Sequence, residues 1–255
     1  MGDPVNSNFC GNLPLHIIFR GISMEIRSPI LTPRLDAAAS FVRTGSTVAD
    51  VGTDHAYLPI ALALKGKIKG AVASDINEGP YLRALDNVKS HSLENKITVL
   101  HTPGLTGVEK YSPTDIVICG MGGELIASIL SDAPWTKSPS VRLVLQPMTH
   151  SEILRRYLHE NKFHIIDEKL AKEEKIYEII CAEYKDEPNT DNYSSAELLL
   201  GKKNIEKGDG LCRDLLCHHL ALLTKIANAK KSAGADASKE DSLISELEEL
   251  KNDRI

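Results

Sequence analysis

The sequence predicts an α/β protein with a seven-stranded, mostly parallel sheet and a small α-helical, coiled-coil-like domain at its C-terminal end. Short apolar segments alternate with amphipathic ones between residues 32 and 161, which is typical of parallel strands joined by crossover helices. Segments 116–118 and 143–145 are apolar on both faces, as expected for strands that helices cover on both sides. After residue 193 the pattern is helical only.

The alternating region begins with a helix at Thr32, because threonine is a good N-cap and Pro33 suits the first helical position. A change of hydrophobic period marks each later boundary. The predicted elements are a strand at 47–51, a helix at 58–64, a strand at 71–74, a helix at 80–91, strands at 97–101 and 115–119, a helix at 123–130, a strand at 142–145 and a helix at 151–161.

Two further strands, at 164–170 and 176–183, are joined by the charged turn 171–175. We predict that they form an antiparallel hairpin at one edge of the sheet, which completes the seven strands. The polar segment 186–193 contains a proline and is predicted to be a linker.

The C-terminal region predicts a short helix at 198–204 followed by a helical hairpin with a coiled-coil-like seam. Its first arm carries the apolar residues Leu215, Leu216, Leu220, Leu222, Leu223 and Ile226, and its second arm carries Leu243, Leu247 and Leu250. We expect a main domain at 24–187 and this helical domain at 188–255. Residues 1–23 are expected to be a disordered or vector-derived extension, with Met24 as the natural start.

Composition narrows the functional classes. The chain has 255 residues, 42% hydrophobic and 25% charged, with a net charge of −5. No apolar run approaches the roughly 20 residues that span a bilayer, and the acidic balance argues against a protein that coats DNA. Five cysteines without a Cys-x-x-Cys pair argue against a disulfide framework or a zinc site. We therefore expect a cytoplasmic protein without membrane, DNA or metal.

The tips of the first two predicted strands indicate a cofactor site. Asp50 and Gly52 end the first strand, and Asp75 ends the second. A dinucleotide loop needs further glycines to approach a pyrophosphate, but Asp54 and His55 fill that place here. The loop suits a ligand with a positive centre and no phosphate, such as S-adenosylmethionine (SAM), and Asp75 suits its ribose hydroxyls. A generic strand-to-helix turn is the alternative.

The tips of the fourth and fifth parallel strands indicate where a substrate would lie. Gly120, Gly122 and Gly123 leave a backbone-lined space into which a flat base fits, or they form a tight turn into the next helix. Gln146 ends the fifth strand, where its amide either bonds a base edge or holds the loop.

These residues carry a family resemblance. The runs D-V-G-T-D-H-A-Y-L-P, G-M-G-G and L-Q-P resemble those of the bacterial tRNA (adenine-22-N1)-methyltransferases over about residues 31–185. The resemblance implies a Rossmann-like class I methyltransferase domain, a helical C-terminal domain and SAM-dependent methylation of N1 of an adenine in the tRNA D-arm region. The expected cofactor-binding residues are Asp50, Gly52, His55, Asp75, Ile76, Gly104, Leu105, Gly120 and Met121.

The chemistry of the reaction selects Asp54 as the candidate catalytic residue. Methylation of N1 places positive charge on the adenine ring, and a carboxylate beside the base stabilises that charge or takes a proton from the exocyclic amine. The alternative role for Asp54 is to cap the next helix. The expected substrate-binding residues are Arg34, Tyr57, Gly122, Gly123, Gln146, Lys202 and Lys203.

Two positions depart from the family pattern. Pro103 stands where the family has an acidic residue that bonds the SAM adenine, and Met148 stands where it has asparagine. These two departures are the only support for one alternative, a catalytically silent RNA-binding homologue. A second alternative, a SAM-dependent enzyme acting on a small molecule or a protein, also stays open.

The predicted helical hairpin is electrically polarised. Residues 202–231 hold seven basic and three acidic side chains, whereas the arm from Lys239 holds three basic and six acidic ones. We expect tRNA phosphates to bind the first arm, unless these charges only pair with each other. A monomer is expected.

Overall fold

The computed structural model describes residues 15–19, 22–26 and 28–253. Strands β1 (Leu15–Phe19) and β2 (Ile22–Ile26) pair antiparallel, with Leu15 opposite Ile26. The remainder of the predicted extension at 1–23 lies outside the described residues.

A seven-stranded sheet forms the centre of the protein, as predicted. Its order is β5-β4-β3-β6-β7-β9-β8. The first five strands of this order run parallel, and β9 runs antiparallel to both β7 and β8. The strands are β3 (Ser46–Val51), β4 (Ile68–Asp75), β5 (Ile97–His101), β6 (Asp115–Met121), β7 (Arg142–Pro147), β8 (Phe163–Lys172) and β9 (Ile176–Tyr184).

Helices cover both faces of this sheet, which explains why its central strands are apolar throughout. One core packs the first three helices against the sheet, and a second core packs the next two against the other face. Thr32 is the N-cap of the first helix, as predicted. The helices are α1 (Pro33–Phe41), α2 (Tyr57–Leu64), α3 (Glu78–Ser90), α4 (Gly123–Ser131) and α5 (Ser151–Glu160).

Four helices follow the sheet: α6 (Ser195–Leu200), α7 (Lys202–Lys207), α8 (Gly210–Ser232) and α9 (Ser238–Asp253). The single short helix predicted at 198–204 was wrong, because Gly201 adopts a φ of 87° and divides it in two. Helices α8 and α9 pack together as the predicted hairpin. Its apolar seam is narrower than predicted, since Leu222 and Ile226 stay 46% and 38% exposed. No helix within the described ranges is long and apolar enough to cross a membrane.

A buried guanidinium joins the sheet to these C-terminal helices. Arg155 of α5 is fully buried, and its Nε donates to Glu168 Oε1 of β8 at 2.8 Å. Its Nη2 pairs with Glu178 of β9. Its Nη1 donates to the carbonyls of Leu198 and Leu199 at 2.8 and 3.1 Å, near the end of α6. One side chain therefore joins two carboxylates of the sheet to two carbonyls of α6.

Gly201 allows this contact. A Cβ atom at Gly201 would lie 2.5 Å from Glu168 Oε2 and 2.7 Å from Arg155 Nη2. The same Glu168 oxygen accepts the backbone N–H of Lys203 at 3.0 Å, in the first turn of α7. The break between α6 and α7 thus places a helix start against a buried carboxylate, where the helix dipole favours negative charge.

We expect Arg155→Met to destabilise the protein by about 3–5 kcal/mol, because removing one partner of a buried ion pair leaves the other uncompensated. The free energy of unfolding from urea denaturation measures this loss. The matched control is Lys203→Met, which removes an exposed pair with Glu206 and is expected to cost at most about 1 kcal/mol. Equal losses in the two variants would contradict the prediction.

Candidate active site

A cavity of about 770 Å³ opens at the carboxyl ends of β3, β4, β5 and β6. The strand order reverses at β3: the chain adds β4 and β5 on one side of β3 and then crosses back to add β6 and β7 on the other side. Such a point of reversal is where open α/β sheets bind ligands. Seven of the nine expected cofactor-binding residues line the cavity: Gly52, Asp75, Ile76, Gly104, Leu105, Gly120 and Met121.

The end of β3 carries a buried carboxyl group behind the cavity wall. Asp50 is 7% exposed and accepts a hydrogen bond from the Thr53 hydroxyl. Burial raises the pKa of Asp50 to about 6; the Thr53 hydrogen bond acts in the opposite direction, and the charge of Asp75 adds to the rise. Gly52 follows with a φ of 75°, and a Cβ atom there would overlap the Met121 methyl group. The turn therefore requires glycine.

The end of β4 presents a second carboxylate. Asp75 Oδ1 accepts hydrogen bonds from the backbone N–H of Asn77 at 2.8 Å and from its side chain at 3.2 Å. Ile76 is 62% exposed at the rim, and its carbonyl oxygen lies 2.9 Å from His101 Nε2. This strand end therefore combines a fixed carboxylate with an uncovered apolar side chain.

The far end of the cavity is largely apolar. Leu105 is buried, and Gly104 has a φ of 52° and lies against Ile129. Leu125 and Trp135 complete this wall. A flat, mostly apolar group fits this end, with the Asp75 carboxylate at the other; Glu109 and Asp132 also line the cavity.

The end of β6 is fixed by Gln146 at the end of β7. Gln146 Oε1 accepts hydrogen bonds from Arg34 Nη1 at 2.9 Å and from the Gly120 N–H at 3.2 Å. Its Nε2 donates to the Pro147 carbonyl at 2.8 Å. Gln146 is fully buried, and its Nε2 also contacts Met148 Sδ at 3.7 Å, so the contacts of its amide are all within the protein. These contacts favour the alternative that Gln146 holds the loop over the predicted contact with a base.

The backbone at 149–150 covers part of the glycine run that follows β6. The Gly123 N–H donates to the Thr149 carbonyl at 2.8 Å, and a Cβ atom at Gly123 would overlap the His150 carbonyl. Gly122 lies beside the Thr149 hydroxyl and keeps some exposure. The predicted open space for a base is thus absent at buried Gly123, where two backbone segments cross.

Asp54, His55 and Tyr57 lie outside the cavity lining, on the loop after β3. The Asp54 carboxylate is 59% exposed and pairs with Arg83 of α3 and, at 3.3 Å, with His55 Nε2. The His55 ring stacks on Tyr57, with ring centroids 4.8 Å apart and planes 5° apart. His55 therefore does not line the cavity, and its expected contact with the cofactor stays a prediction.

Arg34 lies where α1 meets the β8–β9 turn. Its N–H donates to Glu173 Oε1 at 2.8 Å, and its guanidinium lies 5.5 Å from the centroid of the Tyr177 ring. Sequence reasoning did not identify Glu173 or Tyr177 as partners. The charged turn 171–175 was a signal for them, but its contact with α1 depends on the sheet order.

The expected tRNA-binding lysines lie far along the sheet from the cavity. Helix α7, which begins with Lys202 and Lys203, packs on β8 at the edge opposite β5. Lys202 pairs with Asp191 at 3.3 Å, and Lys203 pairs with Glu206 at 2.8 Å. Other lysines of the predicted basic arm pair likewise, as in Lys207–Asp167, Lys230–Glu240 and Lys231–Asp241. Much of the expected cationic surface is therefore neutralised within the protein.

Two other chemistries find no support within the described ranges. No group of three or more His, Cys, Asp or Glu side chains is placed to hold a metal ion there. Burial raises the pKa of the Cys119 thiol far above its ordinary value, so this cysteine is not an activated nucleophile. The cavity instead offers binding and orientation.

Comparison with known proteins agrees with this geometry. The family model for the methyltransferase domain matches residues 31–180. The tRNA (adenine(22)-N(1))-methyltransferase of Bacillus subtilis is 38% identical over 157 residues, which cover 61% of this chain and 66% of that protein. The chain thus spans about two thirds of that relative.

Solved structures agree over a larger part of the chain. The B. subtilis m1A22 tRNA methyltransferase TrmK has a TM-score of 0.75 and 31% identity, over 88% of this chain and 96% of its own. M. capricolum TrmK, solved with S-adenosyl-homocysteine, has a TM-score of 0.71 and 26% identity over 87% and 96%. The chain therefore belongs to the methyltransferase-domain family and, within it, to the tRNA (adenine-22-N1)-methyltransferases.

Proposed function

We propose that this protein methylates N1 of an adenine in tRNA with SAM as methyl donor. The observation that carries the proposal is the cavity at the point of strand reversal, where the Asp75 carboxylate, backed by the buried Asp50, meets glycine-lined backbone. That donor set suits a cationic, phosphate-free cofactor. Membership in the tRNA methyltransferase family supplies the substrate. We also propose that the enzyme is a cytoplasmic monomer that binds neither DNA nor a membrane.

The proposed cofactor contacts follow the lining of the cavity. Asp75 accepts hydrogen bonds from the ribose hydroxyls, as an acidic residue at the second strand tip does in related folds. Ile76 and Leu105 pack on the adenine, beside the Gly104 backbone. Gly120 and Met121 approach the amino-acid portion from β6, and Gly52 keeps the β3 turn close to it.

When bound, SAM supplies an electrophilic methyl group on a sulfonium. The protein then has to orient the acceptor base, since N1 of adenine already has a lone pair and positioning dominates such a displacement. Gln146 and Arg34 hold the β6 tip in place by their hydrogen bonds to Gly120 and to each other. Gly122 and Tyr57 are the proposed surfaces for the base, and Asp54 is the proposed carboxylate that stabilises the developing charge.

The two parts of the chain divide the work in this proposal. Residues 24–187 bind the cofactor and carry out the chemistry, and residues 188–255 add the helices that widen the surface for RNA. The internal pairing of Lys202, Lys203 and Lys207 favours a second candidate, SAM-dependent methylation of a small molecule or a protein, because those lysines would have to leave their partners to bind phosphate.

We expect the purified protein, incubated with SAM and unmodified bacterial tRNA, to form 1-methyladenosine, which nucleoside mass spectrometry detects. Tritium transfer from labelled SAM to tRNA gives the rate. A protein that binds SAM by calorimetry but methylates no tRNA would favour the second candidate. A protein that binds neither would be a silent homologue.

We expect SAM affinity to weaken as the pH falls through 6. Asp50 has a pKa of about 6 in the free protein, and it ionises more readily beside a bound sulfonium, so binding releases a proton. The Kd measured by calorimetry should rise about tenfold from pH 7 to pH 5. Asp50→Asn should flatten this dependence; an equally steep profile in that variant would assign the effect to another group.

We expect Asp54→Asn to lower kcat by about 100-fold or more, because a fixed charge beside a developing one is lost. The Kd for SAM should stay within about twofold, since Asp54 does not line the cavity. Tritium transfer and calorimetry measure the two quantities. The control is Asp86→Asn, an exposed carboxylate on α3, the helix that carries Arg83. Equal losses of SAM affinity and turnover would make Asp54 a cofactor-binding or structural residue.

A further inference from the structure

A second cavity, of about 680 Å³, lies between the sheet and helix α8. Its walls are the loop 147–152 after β7, the β8–β9 turn with its flanks at 172–178, and residues 214–219 of α8. The two cavities share no lining residue. The contact of Arg34 with Gln146 and the crossing of Gly123 with Thr149 lie between them.

The α8 wall of this second cavity carries polar side chains that the protein does not use. Asp214, Cys217 and His218 are exposed, and none of them forms a hydrogen bond or ion pair with the described part of the chain. The His218 and His219 rings contact each other edge to face, with centroids 5.7 Å apart. Burial, followed by the charge of His218, lowers the pKa of His219 to about 4, so its ring is neutral at pH 7.

The charges of the cavity disfavour a phosphate group. Four carboxylates line it, from Glu152, Glu174, Glu178 and Asp214, against the two lysines Lys172 and Lys175. Lys175 already donates to the Met148 carbonyl and lies over the Tyr177 ring. Arg155 pairs with Glu178, and the Tyr177 hydroxyl donates to Glu174. Glu152 lies 3.3 Å from His150 Nδ1. Asp214 is thus the carboxylate that remains open to a ligand from α8.

Aromatic rings and an open carboxylate are the groups that recognise an unpaired nucleobase. Proteins read single-stranded RNA by stacking bases on aromatic side chains and by hydrogen bonds to base edges. A carboxylate accepts hydrogen bonds from the amino groups of cytosine, adenine or guanine. The volume of the cavity accommodates one base, with its phosphates left outside.

We propose that this second cavity receives an unpaired nucleobase of the tRNA other than the methylated adenine, held by Asp214 through its amino edge and by the His218 ring. The inference rests on the proposed function, which brings the RNA to this side of the sheet. The methylated base has to lie at the first cavity, beside the cofactor. The second cavity therefore selects a neighbouring nucleotide and helps to set the register of the substrate.

The sign of the effect of Asp214→Asn tests the proposal. If the carboxylate reads a base edge, the variant loses an acceptor and its KM for tRNA rises about tenfold, with kcat and the Kd for SAM unchanged. If α8 only faces the phosphate backbone, removal of a negative charge lowers the KM, and the proposal is overturned. Steady-state tritium transfer gives KM and kcat, and calorimetry gives the Kd.

Two further variants and one modified RNA complete the experiment. His218→Ala is expected to raise the KM for tRNA as Asp214→Asn does, whereas Glu248→Gln, an exposed carboxylate on α9 outside the cavity, is expected to leave it unchanged. Transfer RNAs with single abasic sites near the target adenine should include one that raises the wild-type KM and no longer responds to Asp214→Asn. Unchanged KM values in both cavity variants overturn the base pocket alone. A wild-type protein that methylates no tRNA instead overturns the proposed function.

Discussion

The parallel pairing of β3 with β4 on one side and β6 on the other is the constraint on which the site depends. In this register Asp50 lies opposite Ala73 of β4 and Val117 of β6, so the carboxyl ends of all three strands meet at one edge. The chain adds β4 on one side of β3 and later adds β6 on the other side. The helices that follow β3 and β6 therefore pack on opposite faces of the sheet and leave a crevice between them. The buried Asp50, the fixed Asp75 and the constrained Gly52 and Gly120 are consequences of that geometry.

The C-terminal helices depend on a different interaction, the burial of Arg155. Burial by itself lowers the pKa of this guanidinium, but the charges of Glu168 and Glu178 raise it above its ordinary value, so the group stays charged. A buried ion pair is seldom a large source of net stability, but its geometry admits few alternatives. The guanidinium fork accepts one placement of the α6 carbonyls, and Gly201 permits that placement. Helix α8, which lines the second cavity, follows this anchored segment in the chain.

The sequence predicted what local pattern determines and missed what distant partners determine. Strand and helix positions followed from hydrophobic period and from signals such as Thr32, since each element buries a face that it carries itself. The hydrogen bonds of the Gln146 amide depend on Arg34, which lies more than a hundred residues earlier in the chain. The burial of Gly123 depends on its contact with the backbone of Thr149. His55 lies outside the cavity lining, where its ring stacks on Tyr57, a contact that the sequence did not indicate. The sequence did not indicate that Arg155 is buried, since a charged side chain in an amphipathic helix ordinarily faces solvent.

The two departures from the family pattern fall where the protein keeps other means to do the same work. Pro103 removes a carboxylate from the apolar end of the first cavity, but Glu109 and Asp132 line that cavity as well, so an acceptor for an amino group remains within it. Met148 is held through its backbone, whose N–H donates to the Met121 carbonyl at 2.8 Å. Its carbonyl accepts from Lys175 at 3.0 Å. Because these bonds need no particular side chain, replacement of asparagine by methionine leaves the strand ends joined and argues against a lost activity.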